Sequence, residues 1–104
     1  MQINECDIIR YNFPMQHVSY PRPCVVIRVK SDGTLTIIPI STKKYGIEDA
    51  FLIDPSDEEF NATGLEVASY IYGHPVLNIS PSDVIKRLGE LTGSIKARFV
   101  KWNG

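Results

Sequence analysis

The chain has 104 residues, of which 43% are hydrophobic and 22% charged, and its formal net charge is −1. This length suits a single domain with one core, and the small net charge excludes a protein that coats nucleic acid indiscriminately. The N-terminus has no secretory pattern and no apolar run is long enough to span a membrane, so we expect one cytoplasmic domain over residues 1–104.

Charge is segregated along the chain. Residues 1–44 carry six basic and three acidic side chains, residues 45–66 carry seven acidic and no basic ones, and residues 67–104 carry five basic and two acidic ones. An acidic block of this kind is usually a solvated loop. The alternative is that the two basic ends meet in space and give the protein one positive face.

The first predicted elements are strands. Weak alternation predicts a short strand over residues 7–12, closed by Phe13-Pro14, and then a stiff loop over 15–21. Uninterrupted apolar residues predict a buried strand over 22–30. The turn residues Ser31-Asp32-Gly33 predict that residues 34–40 return antiparallel to it.

Short strands and then helices are predicted for the second half. Strands are predicted over 50–54, 67–72 and 76–79, which gives about six in all, with loop between the first two of these. Ser80-Pro81-Ser82-Asp83 has the pattern of a capping box and predicts a helix that ends near Gly89.

Thr92 or Ser94 begins a second predicted helix, with Ile95, Phe99 and Trp102 at helical spacing. Strands first and helices last indicate an α+β protein, in which a small curled antiparallel sheet has its terminal helix on one side.

Candidate chemistry lies at the ends of two strands. Arg22 opens the buried strand, and Ser41-Thr42 with Lys43-Lys44 ends the next one. A guanidinium beside hydroxyl and ammonium donors suits a phosphate. The alternatives are a surface ion pair for Arg22 and local backbone hydrogen bonds for the hydroxyls.

Histidine and aromatic residues offer further functions. His17 and His74 lie in predicted loops, where an imidazole either transfers a proton near neutral pH or has no role. Two uses are open to the tyrosines, either stacking on unpaired bases or filling hydrophobic space: Tyr20, Tyr45, Tyr70 and Tyr72. Trp102 either packs the last helix or forms an exposed anchor for a partner.

No motif for a metal or cofactor occurs in the sequence. Cys6 and Cys24 lack metal-site spacing and are expected to be free thiols. Gly-rich phosphate loops, H-E-x-x-H and G-x-S-x-G are absent from the sequence, so we expect neither a metal nor a cofactor.

The order of these features resembles the MazF/PemK family of bacterial toxins. The resemblance spans nearly the whole chain, and its most specific parts are the R-P pair with its apolar strand and the P-I-S/T segment. The segments that carry it are Asp7-Ile8-Ile9 with Phe13-Pro14, Arg22-Pro23-Cys24-Val25-Val26-Ile27, Ile38-Pro39-Ile40-Ser41-Thr42 and Arg87-Leu88-Gly89-Glu90-Leu91.

The resemblance implies an SH3-like antiparallel β-barrel with a C-terminal helix, which acts as a homodimer and is neutralised by an antitoxin protein. It implies metal-independent cleavage of single-stranded RNA at short sequences, with a 2′,3′-cyclic phosphate product. Arg22 and Ser41 would then be catalytic. The expected substrate contacts are His17, Tyr20, Thr42, Lys43 and His74.

Two other functions remain open at this stage. Ala68-Ser69 stands where many family members have an acidic residue, and His74 replaces an Asp or Gln, which is compatible with a barrel that binds RNA or protein without cutting. The ending Phe99-Val100-Lys101-Trp102 also resembles that of the CcdB gyrase inhibitors, whose C-terminal tryptophan engages gyrase.

Overall fold

The structure is a computed structural model that describes residues 2–15, 18–44, 46 and 49–104, and only the backbone of residues 13–15 and 18–20. Within these residues there are seven strands, two short 3-10 helices and one α-helix. The elements are β1 (Asp7–Met15), β2 (Val18–Val29), β3 (Leu35–Ser41), β4 (Phe51–Ile53), a 3-10 helix (Phe60–Thr63), β5 (Ser69–Ile71), β6 (Leu77–Ile79), a 3-10 helix (Pro81–Asp83), β7 (Val84–Glu90) and α1 (Gly93–Asn103). The predicted α+β class is confirmed.

All strand pairs in the sheet are antiparallel, with the order β4-β5-β3-β2-β1-β7 and β6 paired to the first half of β3. The sheet curls because β3 pairs with β6 along its first residues and with β5 at its end. Among the described strands, β4 and β7 are the two ends of an open hydrogen-bonded order, so the expected barrel is not closed by strand pairing.

The first hairpin is longer than the sequence predicts. The predicted loop over 15–21 is wrong, since β1 continues to Met15, β2 begins at Val18, and these two residues are partners. Phe13 lies opposite Tyr20 in the same ladder. Pairing with the facing strand therefore overrides Pro14, which was predicted to close β1. Pro14 lies where β1 pairs with β2 alone, so the hydrogen-bond donor that proline lacks can be missing there.

The second hairpin follows its turn chemistry. Gly33 has a φ of 88°, which a residue with a Cβ adopts at a cost. The Thr34 N–H donates to the Asp32 carboxylate at 2.8 Å. Cys24 then pairs with Pro39 and Val25 with Ile38, as the predicted antiparallel return requires.

Two apolar clusters lie on opposite faces of this sheet. The helix-side cluster contains Val25, Ile38 and Phe99, and α1 covers it. The opposite cluster contains Cys24, Val26 and Ile37, and Tyr11 packs against it. Adjacent residues of β2 and β3 thus face different clusters, which explains why both strands read as continuous apolar runs.

The helix predicted from Ser80 to Gly89 is wrong. The capping box is present, with the Ser82 N–H donating to the Ser80 hydroxyl at 3.3 Å and the Ser80 N–H to the Asp83 carboxylate at 3.2 Å. It supports one 3-10 turn only, after which residues 84–90 form β7 and pair with β1. The β-branched residues Val84 and Ile85 favour a strand, and pairing with β1 decides the outcome.

The terminal helix is as predicted, with Thr92 as its N-cap and Ile95 and Phe99 buried. Its first turn binds the acidic block, since the Ser94 N–H donates to Glu59 at 2.8 Å. Arg98 also forms an ion pair with Asp57 at 3.0 Å. The acidic block is therefore more than a solvated loop, because two of its carboxylates bind the terminal helix.

The two basic ends meet where β1 pairs with β7, with Arg10 opposite Lys86. Arg87 in the same strand instead pairs with the buried Asp7 at 3.1 Å. Cys6 and Cys24 are free thiols, as expected. In the described part of the chain, no helix is long and apolar enough to cross a membrane.

Candidate active site on three neighbouring strands

Three polar side chains form a row across neighbouring strands. Tyr11 of β1 is the partner of Arg22 in β2. The pairing of β2 with β3 ends at Cys24 and Pro39, and Arg22 and Ser41 each lie two residues beyond that pair, Ser41 as the last residue of β3. Tyr11 and Arg22 are directly opposite, a position in which Cβ atoms are about 4.5–5.5 Å apart.

The row belongs to one face of the sheet. Cys24 and Ile37 are part of the opposite cluster and Tyr11 packs against it. Since side chains alternate along a strand, Arg22 and Ser41 point to this same face. Arg22 is half-buried and Ser41 is 8% exposed. Neighbouring atoms therefore restrain both side chains, and both still lie next to solvent.

The turn after Ser41 is fixed by hydrogen bonds. The Lys43 N–H donates to Ser41 Oγ at 3.1 Å, and the Tyr72 hydroxyl donates to the Lys43 carbonyl at 2.6 Å. The Ser41 hydroxyl accepts in the first of these bonds, so its own proton is still available to a phosphate oxygen. Thr42 and Lys43 are exposed on the same turn.

Two tyrosines brace this turn, Tyr70 in β5 and Tyr72 just after its end. Tyr70 is the strand partner of Ser41. Its ring stacks on that of Tyr72, with centroids 6.3 Å apart and planes 24° apart. Both tyrosines therefore have packing roles next to Ser41, which was one of the two interpretations of aromatic residues on the sheet.

Cys24 lies next to the row but has no role as a nucleophile. Burial raises the pKa of its thiol to about 12, and the nearby Arg22 charge lowers that pKa only in part. The thiol is thus protonated at neutral pH, and the thiolate is the reactive form. Its sulfur donates weakly to the Arg22 carbonyl at 3.7 Å.

The structure describes the other predicted substrate contacts to different extents. His17 lies outside the described residues. The backbone of Tyr20 lies in β2, beyond Arg22, and its side chain is outside the description. His74 is exposed between β5 and β6, next to Gly73, where an added Cβ would meet the Trp102 ring at 3.5 Å. Gly73 is therefore close to Trp102, which places the neighbouring His74 near the end of α1.

Trp102 packs against the fold. Its Nε1 donates to the Asp49 carbonyl at 2.6 Å, and its ring lies 5.8 Å from those of Phe51 and Phe99. Of the two interpretations of this residue, the structure favours packing of the last helix.

Sequence analysis did not identify Tyr11 as part of the site. Its place beside Arg22 follows from the register of β1 and β2, and the residues that join these strands have no turn signature that would have fixed that register. Among the residues that the structure describes, no group of three or more His, Cys, Asp or Glu is placed to hold a metal ion.

Comparisons with known proteins agree with the fold. A family model described as the PemK-like, MazF-like toxin of type II toxin-antitoxin systems matches residues 4–98. The solved structure of Mycobacterium tuberculosis toxin MazF-mt6 superimposes with a TM-score of 0.68 at 17% identity, over 94% of this chain and 92% of that one. An Mtb toxin superimposes with a TM-score of 0.66 at 18% identity, over 93% and 96%. No curated protein sequence matches the chain.

Proposed function

Because the chain belongs to the family of PemK-like, MazF-like toxins of type II toxin-antitoxin systems, we propose that it is an endoribonuclease that cuts single-stranded RNA without a metal. Family membership implies a cognate antitoxin. We also propose that the protein is a homodimer located in the cytoplasm.

The observation that supports the proposal most is the strand register around Arg22. Arg22 and Ser41 each lie two residues beyond the last pair of β2 and β3, with Thr42 and Lys43 exposed next to Ser41. A strand holds such side chains firmly, while the loop after Ser41 stays open to solvent and substrate. This arrangement suits one phosphodiester group held by several donors.

In the proposed reaction the ribose 2′-oxygen attacks the adjacent phosphorus. The 2′-hydroxyl loses its proton to solvent as its oxygen bonds to phosphorus, the bond from phosphorus to the 5′-oxygen breaks, and the 5′-oxygen takes up a proton from solvent. The products are a 2′,3′-cyclic phosphate and a 5′-hydroxyl. Arg22 offsets the charge that develops on the phosphoryl oxygens, and Ser41 orients them. DNA lacks the attacking hydroxyl and is not cut.

A protein-binding poison similar to the CcdB gyrase inhibitors is less well supported. That alternative depended on an exposed C-terminal tryptophan, whereas Trp102 is half-buried and hydrogen-bonded to Asp49. A barrel that binds RNA without cutting it differs from the proposal only in the chemistry, so an assay of cleavage separates the two.

The test is incubation of the purified protein with single-stranded RNA in EDTA. We expect cleavage products with cyclic phosphate ends, and we expect Arg22→Ala to lower the rate by roughly 10²- to 10³-fold, the effect of losing one charge-stabilising donor. A DNA strand of the same sequence should stay intact.

Arg28→Ala is the matched control, since Arg28 lies in the same strand and is exposed. It should cleave at nearly the wild-type rate. Tight binding of RNA with no products would support the non-catalytic module, and equal losses in both arginine variants would remove Arg22 from the reaction.

A further inference from the structure

A cavity of about 220 Å³ lies on the face of the sheet opposite to the Tyr11, Arg22 and Ser41 row. Leu65 and Leu88, two of its lining residues, pack against the helix-side cluster. Its polar lining consists of Arg10, Thr42, Glu66 and Ser69. Thr42 is also one of the proposed phosphate contacts, and the proposed cleavage reaction uses none of the other lining residues.

The cavity is nevertheless close to the row along the chain. Pro23 and Thr42 line it, and each directly follows one of the two proposed catalytic residues. Arg10, which also lines it, is the strand partner of Pro23. β3 ends at Ser41, and beyond that point no described strand pairs with this edge of β2. A nucleotide chain whose phosphate lies at Arg22 therefore has an open edge across which a neighbouring base can reach the cavity.

The walls and polar groups suit a flat heterocycle. Pro23, Leu65, Val67 and Leu88 provide apolar surfaces for the faces of a base. Arg10 and Glu66 line the same cavity, yet the ion pairs among the described residues do not join them. A guanidinium and a carboxylate that line one cavity without pairing with each other offer donors and acceptors to a ligand that binds there.

We infer that this cavity binds a guanine base of the RNA, with Arg10 at its Hoogsteen edge and Glu66 at its Watson–Crick edge. The inference deepens the proposed function, since it names a base next to the cut. Guanine presents two adjacent acceptors, O6 and N7, to an arginine fork. Its N1–H and 2-amino donors form the opposite pattern and suit a carboxylate. Adenine and cytosine place an amino donor where Arg10 needs an acceptor.

The test is binding of short single-stranded RNA oligonucleotides with 2′-O-methyl groups, which lack the attacking hydroxyl and stay uncut. One guanine is replaced in turn by adenine, uracil or cytosine. We expect the guanine oligonucleotide to bind roughly tenfold tighter or more, the usual discrimination of a bidentate contact. Arg10→Ala or Glu66→Gln should reduce that preference.

Base analogues assign each edge to one side chain. Inosine, which lacks the 2-amino group, should weaken binding to the wild type and make no further difference in Glu66→Gln. 7-Deazaguanine, which lacks N7, should do the same for Arg10→Ala. A purely structural role of either residue would not produce this pairing of variant and analogue.

Lys86→Ala is the matched control, because Lys86 is opposite Arg10 in β7, is exposed and does not line the cavity. It should weaken all oligonucleotides alike and keep the guanine preference. Thermal melting of each variant shows that it is folded.

Equal affinity for the four bases, or a guanine preference that survives both substitutions, would overturn the inference. Failure of the proposed function gives a different result, namely no cleavage of ordinary RNA by a wild type that still prefers guanine in the binding assay.

Discussion

The two sides of this small sheet are built in different ways. On the helix side, Phe51, Phe99 and Trp102 pack ring against ring, and Glu59 binds the first turn of α1. On the other side, Tyr11 and Arg22 within β1 and β2, and Ser41 at the end of β3, are positioned by strand pairing and by one hydrogen-bonded turn. Stability and the proposed chemistry are thus carried by different residues, and substitutions should separate the two.

The largest effect on stability should come from Phe99→Ala. Phe99 is 1% exposed, and its ring meets that of Phe51 edge to face with centroids 5.4 Å apart. Its truncation leaves a cavity and should cost about 3–5 kcal/mol. Denaturant titration measures the loss. Val100→Ala is the control, because Val100 is the next residue and is exposed; similar losses in both variants would contradict a core centred on Phe99.

On the opposite side of the comparison, Ser41→Ala should change activity more than stability. Removing the hydroxyl that is proposed to orient the phosphate should slow cleavage roughly ten- to hundredfold, since hydrogen bonds to charged groups contribute about 1.5–3 kcal/mol. Ser41→Thr keeps the hydroxyl and should retain most of the rate. Single-turnover cleavage rates of the two variants test this prediction. An inactive Ser41→Thr variant with a normal fold would contradict a role of the hydroxyl in cleavage.

A smaller effect tests how closely the helix side is packed. Gly64 follows the Phe60–Thr63 helix with a φ of 73°, and an added Cβ would overlap the Leu88 carbonyl of β7. Gly33 also has a positive φ, but an added Cβ there meets no atom within 4 Å. Gly33→Ala should therefore cost only the backbone strain, about 1–2 kcal/mol.

Gly64→Ala should lose about 1–3 kcal/mol more than Gly33→Ala, because overpacking adds to the strain. Urea titrations of the two variants beside the wild type give the difference. Equal losses would mean that the contact between Gly64 and β7 yields without cost.

Local patterns in the sequence predicted the elements whose partners are close in the chain. The Ser31-Asp32-Gly33 turn fixed the β2–β3 hairpin, and the spacing of Ile95 and Phe99 predicted α1. The capping box at Ser80 was also predicted correctly, but the segment after it became a strand, because β1 lies some 75 residues away in sequence and offers its edge. A local signal cannot report that competition.

The candidate site divides in the same way. Arg22 and Ser41 were predicted as candidates from the residue pattern and as catalytic residues from the family resemblance. The register near them was not predicted, because an irregularity between Val26 and Arg28 shifts it away from the one that the turn sets. Tyr11 was not predicted, because its register depends on a hairpin without turn residues. Glu66 was not connected to Arg10, because the two meet through tertiary packing of a loop against β1 and β7.

The smallest effect concerns the carboxylate that holds the start of α1. The Ser94 N–H and hydroxyl bond to Glu59, and these bonds lower its pKa. Since the pKa is lower in the folded than in the unfolded chain, Glu59 stabilises the fold above the ordinary glutamate pKa of about 4.3, and this contribution is lost as the pH falls through the lowered value. Glu59→Gln should thus melt below the wild type at neutral pH and approach it in acid. Glu58→Gln, at the exposed neighbouring position, should show no such convergence. A difference in melting temperature between Glu59→Gln and the wild type that stays constant with pH would mean that the charge of Glu59 does not stabilise the fold.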